Sequence, residues 1–197
     1  MVEESRAARL MTWIAFAMVL LLDAAYLGLM FDRSDRELAE VTVLFVGAYM
    51  GLMAAMLGVS SLPRLATIAL RTPLRAGAAG GLLVLGVVAI FSIGLPIVIA
   101  GALATGAAIR TASRPNRMRA ALSGVAAVVV AIAVLVAGFE VSIRIVICPS
   151  FGVIAGSSSG FVTSGVHYEC VNGRLSLHEG QCSSGSVSSD GTVTSNC

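Results

Sequence analysis

The chain contains no lysine; all 13 of its basic residues are arginine. It is also short of charge. Only 12% of its 197 residues are Asp, Glu, Lys or Arg, against about 25% in a soluble domain. A soluble globule of this size could not cover itself with so little polar surface. Aromatics are scarce too, at 6%, so interfacial belts of Trp and Tyr do little to mark helix ends. No basic run carries interleaved aromatics, which leaves nucleic-acid binding without support. Cysteine is absent from residues 1–147 and histidine from residues 1–166. The chain has no H-E-x-x-H, Walker or dinucleotide fingerprint, and its one G-x-S-x-G match, from Gly156 to Gly160, lies in a Ser- and Gly-rich stretch with no strand-to-helix pattern around it, so no enzyme activity and no cofactor are expected.

What is present is apolar. At 57% hydrophobic residues, the expected solvent for most of the chain is lipid. The Arg-only basic set, with abundant Ala, Gly and Val, has the composition of a GC-rich bacterial genome.

Hydrophobic runs define the expected spans. The first covers 10–31 and carries one acid, Asp23. The second covers 41–62, closed by Pro63. A connector with Arg64, Arg71 and Arg75 follows. Then comes a run of 34 residues, 76–109. One straight helix of that length would be about 50 Å at 1.5 Å per residue, against a roughly 30 Å hydrocarbon core. Ser92-Ile93-Gly94-Leu95-Pro96 interrupts it with turn chemistry: Gly permits positive φ, and Pro removes a donor. Two spans, 76–93 and 96–110, are expected in place of one long kinked helix. A last span covers 120–143.

Charge favours the same division. With four spans, either N-terminal orientation leaves one arginine cluster on the wrong side of the membrane. With five spans and the N-terminus in the cytoplasm, Arg6, Arg9, Arg64, Arg71, Arg75, Arg110, Arg114, Arg117 and Arg119 all fall inside. The short segment with Asp32, Asp35, Glu37 and Glu40 falls outside, and so does the tail. The expected fold is therefore an all-α transmembrane bundle of five spans, four being the alternative, with a small disulfide-stabilised β-hairpin tail at 148–197. The expected location is a cell membrane.

The tail holds all four cysteines: Cys148, Cys170, Cys182 and Cys197. Confined to a short Ser- and Gly-rich segment, an even set reads as disulfides in an oxidising compartment. Their spacings contain no C-x₂₋₄-C pair of the kind structural zinc sites use. Three pairings are open. Asn172-Gly173 sits between alternating segments, the strongest short hairpin signal, because a type I′ turn needs positive φ twice. A two-residue turn pairs Val171 with Arg174, Cys170 with Leu175, Glu169 with Ser176, Tyr168 with Leu177 and His167 with His178. Tyr168, Cys170, Leu175 and Leu177 are expected to pack inward. Residues 183–197 are expected to be ordered only by their cysteines.

Other polar residues need a role. His167 and His178 as cross-strand neighbours, with Glu169 nearby, form a weak metal-ligand set; two solvated histidines are the simpler expectation. Asp23 is an intramembrane acid, hence a functional candidate, or a structural group hydrogen-bonded to a Tyr or Ser. Glu140 and Arg144 stand four apart and would share a helix face. Met50, Met53 and Met56 read as apolar filling, though a thioether stripe can hold Cu(I). Gly47-x₃-Gly51 and Gly77-x₃-Gly81 offer faces for close approach, to a neighbouring helix, a second copy or a membrane-protein partner.

The function expected from these features is non-catalytic: a multi-pass membrane accessory or surface-interaction protein displaying the tail. The alternative is a small transporter or channel component using Asp23.

Overall fold

The structure is a computed structural model and describes residues 6–32, 40–62, 70–90, 93–111, 117–142, 144–146, 148, 150–158, 166–179, 185–187 and 193–195. The chain is mostly helical. Among the described residues, five helices, α1 (Arg6–Asp32), α2 (Glu40–Ser60), α3 (Arg71–Val88), α4 (Gly94–Thr111) and α5 (Arg117–Ser142), precede five strands. These are β1 (Val153–Ser158), β2 (Val166–Val171), β3 (Arg174–Glu179), β4 (Gly185–Val187) and β5 (Val193–Ser195). The chain forms two compact units, one of residues 1–32 and 46–135, the other of residues 33–45 and 136–197.

Among the described residues, four helical segments are long and apolar enough to cross a membrane: 6–29, 41–60, 94–111 and 118–142. Their outward faces are apolar, with Leu21 72%, Leu29 66%, Leu122 62% and Val125 63% exposed. Exposed apolar surface running along whole helices is a liability in water and is satisfied in lipid. A membrane protein is the class these features suggest.

The long apolar run is broken, as its turn chemistry predicts. Helix α3 ends at Val88 and α4 starts at Gly94, with the amide of Gly94 donating to the carbonyl of Ala89 at 2.9 Å. The role of Gly94 differs from expectation. It is not among the positive-φ residues. A Cβ there would collide with the carbonyls of Ala89 and Gly86, so what matters is the missing side chain. Pro96 sits in the first turn of α4, where amide groups have no intrahelical acceptor to lose.

Both helices run further than the expected spans at the end away from their connecting turn. Helix α3 begins at Arg71 rather than 76, taking in Pro73 in its first turn, and α4 reaches Thr111. Helices α1 and α5 begin four and three residues before the expected limits, because arginines near a span end do not stop a helix, while α2 and α5 end two residues and one residue short of theirs.

Helix α3 is the most polar at its start and also the best enclosed. It buries Arg75, Gly77, Ala78, Ala79, Gly81, Leu82, Leu85 and Gly86. It packs most extensively on α4, which also packs on α1. Small residues permit these approaches. A Cβ at Gly80 would lie 2.6 Å from Cγ1 of Val128 on α5, and one at Gly81 2.8 Å from Sδ of Met53 on α2. Tyr49 of α2 donates its hydroxyl to the carbonyl of Ala131 on α5 at 3.0 Å. The Met residues are packing groups here: Met50 and Met53 are buried, and Met56 lies over Gly77.

In the second unit, β1, β2 and β3 form an antiparallel sheet in that order, and β4 pairs with β5. The β2–β3 register is the expected one throughout, from Val171↔Arg174 to His167↔His178. Asn172 (φ 48°) and Gly173 (φ 80°) supply the two left-handed residues of the turn. Three expectations change. Strand β1 joins the hairpin along its full length. The final stretch contains a strand pair and is not ordered by cysteines alone. Leu175 and Leu177, on the edge strand β3, are 40% and 47% exposed; the apolar positions of the hairpin that bury are Val166 and Cys170.

Candidate functional site

Three polar arrangements stand out against the apolar background. The first joins two features that the sequence presents separately. Asp23 of α1 lies against Gly47 and Gly51 of α2. A Cβ at Gly47 would fall 3.4 Å from Asp23 Oδ1, and one at Gly51 3.7 Å from Oδ2. The carboxyl group therefore rests in a notch of bare backbone. Its Oδ1 is buried without a hydrogen-bond partner among the described residues, and the expected bond to a Tyr or Ser hydroxyl is not made by that atom. An unmatched buried carboxyl oxygen is costly, and intramembrane acids mark functional positions. The notch also takes Leu27, whose Cδ2 would sit 2.8 Å from a Cβ at Gly47.

The second arrangement was not legible as a site. Arg75, expected in a connector, is fully buried. Its Nε donates to Ser60 Oγ at 3.3 Å, and Nη1 donates to Thr111 Oγ1. Each hydroxyl passes a hydrogen bond to its own helix: Ser60 to the carbonyl of Leu57, Thr111 to that of Ala107, both at 2.7 Å. One turn earlier, Arg71 Nη2 donates to the carbonyl of Leu62 at 2.8 Å. Two guanidinium groups thus meet the C-terminal end of α2, and one also meets that of α4. Helix C-termini carry unsatisfied carbonyls and partial negative charge, which favours cations. The arrangement staples three helices at one end of the bundle. The only sequence signal was the four-residue spacing of Arg71 and Arg75 at the edge of an apolar run.

The third lies in the second unit. Cys148 is disulfide-bonded to Cys170, which selects one partner for each among the open pairings. The bond ties the segment after α5 to the central strand β2, where Cys170 is fully buried. Cys182 and Cys197 lie outside the described residues. Tyr168 extends over its β1 partner Gly156, where any side chain would collide with the phenol. His167 and His178 face each other across β2 and β3, with Glu169 two residues along. No group of three or more His, Cys, Asp and Glu close enough to hold a metal occurs among the described residues.

Glu140 and Arg144 do not share a helix face. Helix α5 ends at Ser142, and Arg144 lies in the turn beyond it, its amide bonded to the carbonyl of Val141.

Compared with protein families, characterised proteins and solved structures, the chain has no match.

Proposed function

We propose that this chain is a five-span membrane accessory protein that displays its sheet-bearing tail on the extracytoplasmic side, as a surface for a protein partner. The observation that carries this reading is the break between Val88 and Gly94. It makes the helix count odd, so both charge and redox chemistry agree. Nine arginines then lie on the cytoplasmic side, and the Cys148–Cys170 disulfide lies where such bonds persist. On this reading α3 is the fifth span. Its 18 residues give about 27 Å at 1.5 Å per residue, close to a roughly 30 Å core. Its polar start is tolerable because Arg75 is enclosed by α2 and α4 instead of lipid. Helix α4 has 18 residues as well, which supports a full span. The membrane is a cell membrane, and the composition favours a bacterial one.

Deleting residues 150–197 tests the accessory role. The truncated bundle should still insert, and the partner that co-purifies with the full chain from native membrane should be lost. Retention of that partner by the truncated form would overturn the reading.

A second reading, a small transporter or channel component, is favoured by one observation: the buried, unmatched Oδ1 of Asp23. Asp23→Asn should abolish ion-coupled flux in liposomes if this reading holds, and full flux in that variant removes its support.

A further inference from the structure

A groove of about 640 Å³ opens on the flank of the helical unit. Its walls are Thr72 and Ala76 of α3, Ala108 and Ile109 of α4, and one face of α5 from Ala120 to Val129. Apart from Thr72, the lining is entirely Ala, Gly, Val and Ile. Along α5 the groove runs about 14 Å, at 1.5 Å per residue. That is close to the roughly 15 Å of a single leaflet, half of a roughly 30 Å hydrocarbon core.

The groove has a polar end and an apolar end. Thr72 starts α3, Ile109 nearly ends α4 and Ala120 nearly starts α5. All three lining positions therefore lie at the same end of the bundle, the one closed by the Arg75 staple. Each has an arginine as its immediate chain neighbour: Arg71, Arg110 and Arg119. Arg110 and Arg119 are exposed. No Asp or Glu occurs between residues 41 and 139, so the one acid of α3, α4 and α5, Glu140, stands at the opposite end of α5 from Arg119. An apolar slot one leaflet deep, with exposed arginines beside its open end, has the shape and charge of one class of ligand. Basic pockets between membrane helices select anionic headgroups, and the slot length suits an acyl chain.

We propose that this groove is a binding site for an anionic phospholipid, with an acyl chain along α5 and the phosphate at Arg110 and Arg119. The site rests on the membrane reading of the helices, though not on which face is cytoplasmic. It goes beyond the accessory role by naming a ligand for the bundle itself.

The test is native mass spectrometry of the full-length protein, released from bilayers containing equal phosphatidylglycerol and phosphatidylcholine. Reconstitution into those bilayers is scored first. A chain that does not insert refutes the membrane reading; one that inserts tests the site. The protein should retain phosphatidylglycerol in preference to phosphatidylcholine. At about fivefold per basic side chain, R110Q/R119Q should weaken phosphatidylglycerol retention about 30-fold and abolish the preference. Both side chains are exposed, so this variant leaves the core intact. Ala121→Phe, at an exposed lining position, should block the groove and reduce retention of both lipids. Inorganic phosphate should not displace the bound lipid. Equal retention of the two lipids by the unaltered protein, an undiminished preference in R110Q/R119Q, or unchanged binding by Ala121→Phe would each overturn the proposal.

Discussion

Replacing Arg75 should loosen the bundle at one end, and the size of the loss can be worked out from its contacts. The guanidinium makes charge-assisted hydrogen bonds to Ser60 and Thr111. Such bonds contribute about 1.5–3 kcal/mol each. Neither hydroxyl is orphaned when Arg75 goes, because both still donate to carbonyls of their own helices. The loss should therefore sit toward the low end, about 3 kcal/mol for the pair. Arg75→Met fills most of the volume without donors and should show about that loss. Arg75→Ala adds a cavity in a fully buried site and should lose a further 1–2 kcal/mol or so. Arg75→Lys keeps the charge, but its ammonium lacks the planar fork that reaches both hydroxyls, so it should fall between the wild type and Met. The assay is equilibrium unfolding in mixed micelles, titrated with a denaturing detergent and followed by far-UV circular dichroism. If Arg75→Met is as stable as the wild type, the donor bonds contribute nothing, and the staple is a packing feature only.

Three further outcomes follow from close contacts and the disulfide. Gly47→Leu should destabilise the α1–α2 contact by about 1–3 kcal/mol through overpacking, since even a Cβ would press on Leu27 at 2.8 Å; a change under about 0.5 kcal/mol in the same unfolding assay would show that the notch is not tight. Gly94→Val should cost about 3 kcal/mol, at the upper end for overpacking, because its Cβ meets the backbone carbonyls of Ala89 and Gly86, which yield less than side chains. Cys170→Ser opens a disulfide with a sequence separation of 22 and should cost the sheet about 3 kcal/mol, read as faster proteolysis of the tail; unaltered protease resistance would show that the sheet holds without it.

The parts of this structure that were legible in the sequence are those set by neighbouring residues. Asn172-Gly173 dictated a turn, and the turn dictated every pair of the β2–β3 register. Gly94 and Pro96 divided the long apolar run because it exceeds a membrane's thickness. Features that depend on distant helices were not legible. Arg75 looks like a loop residue until α2 and α4 bring Ser60 and Thr111 to it. Asp23 and the Gly47-x₃-Gly51 pair were each conspicuous, yet nothing local says that one rests on the other. Strand β1 was missed because Val153–Ser158 ends in Gly and Ser, and its pairing with β2 comes from sheet formation, not from its own propensity. The exposure of Leu175 and Leu177 likewise depends on what covers that face of β3, which the hairpin register alone does not reveal.

The central claim is the threading, and two insertion sites test it most directly. An epitope tag placed after Ser92, between α3 and α4, and another after Ser113, between α4 and α5, should be probed by protease in sealed, oriented membrane vesicles. The five-span account predicts that the tag at 92 is cleaved from the extracytoplasmic side and the tag at 113 only from the cytoplasmic side. The reverse pattern, or both tags on the same side, would contradict it.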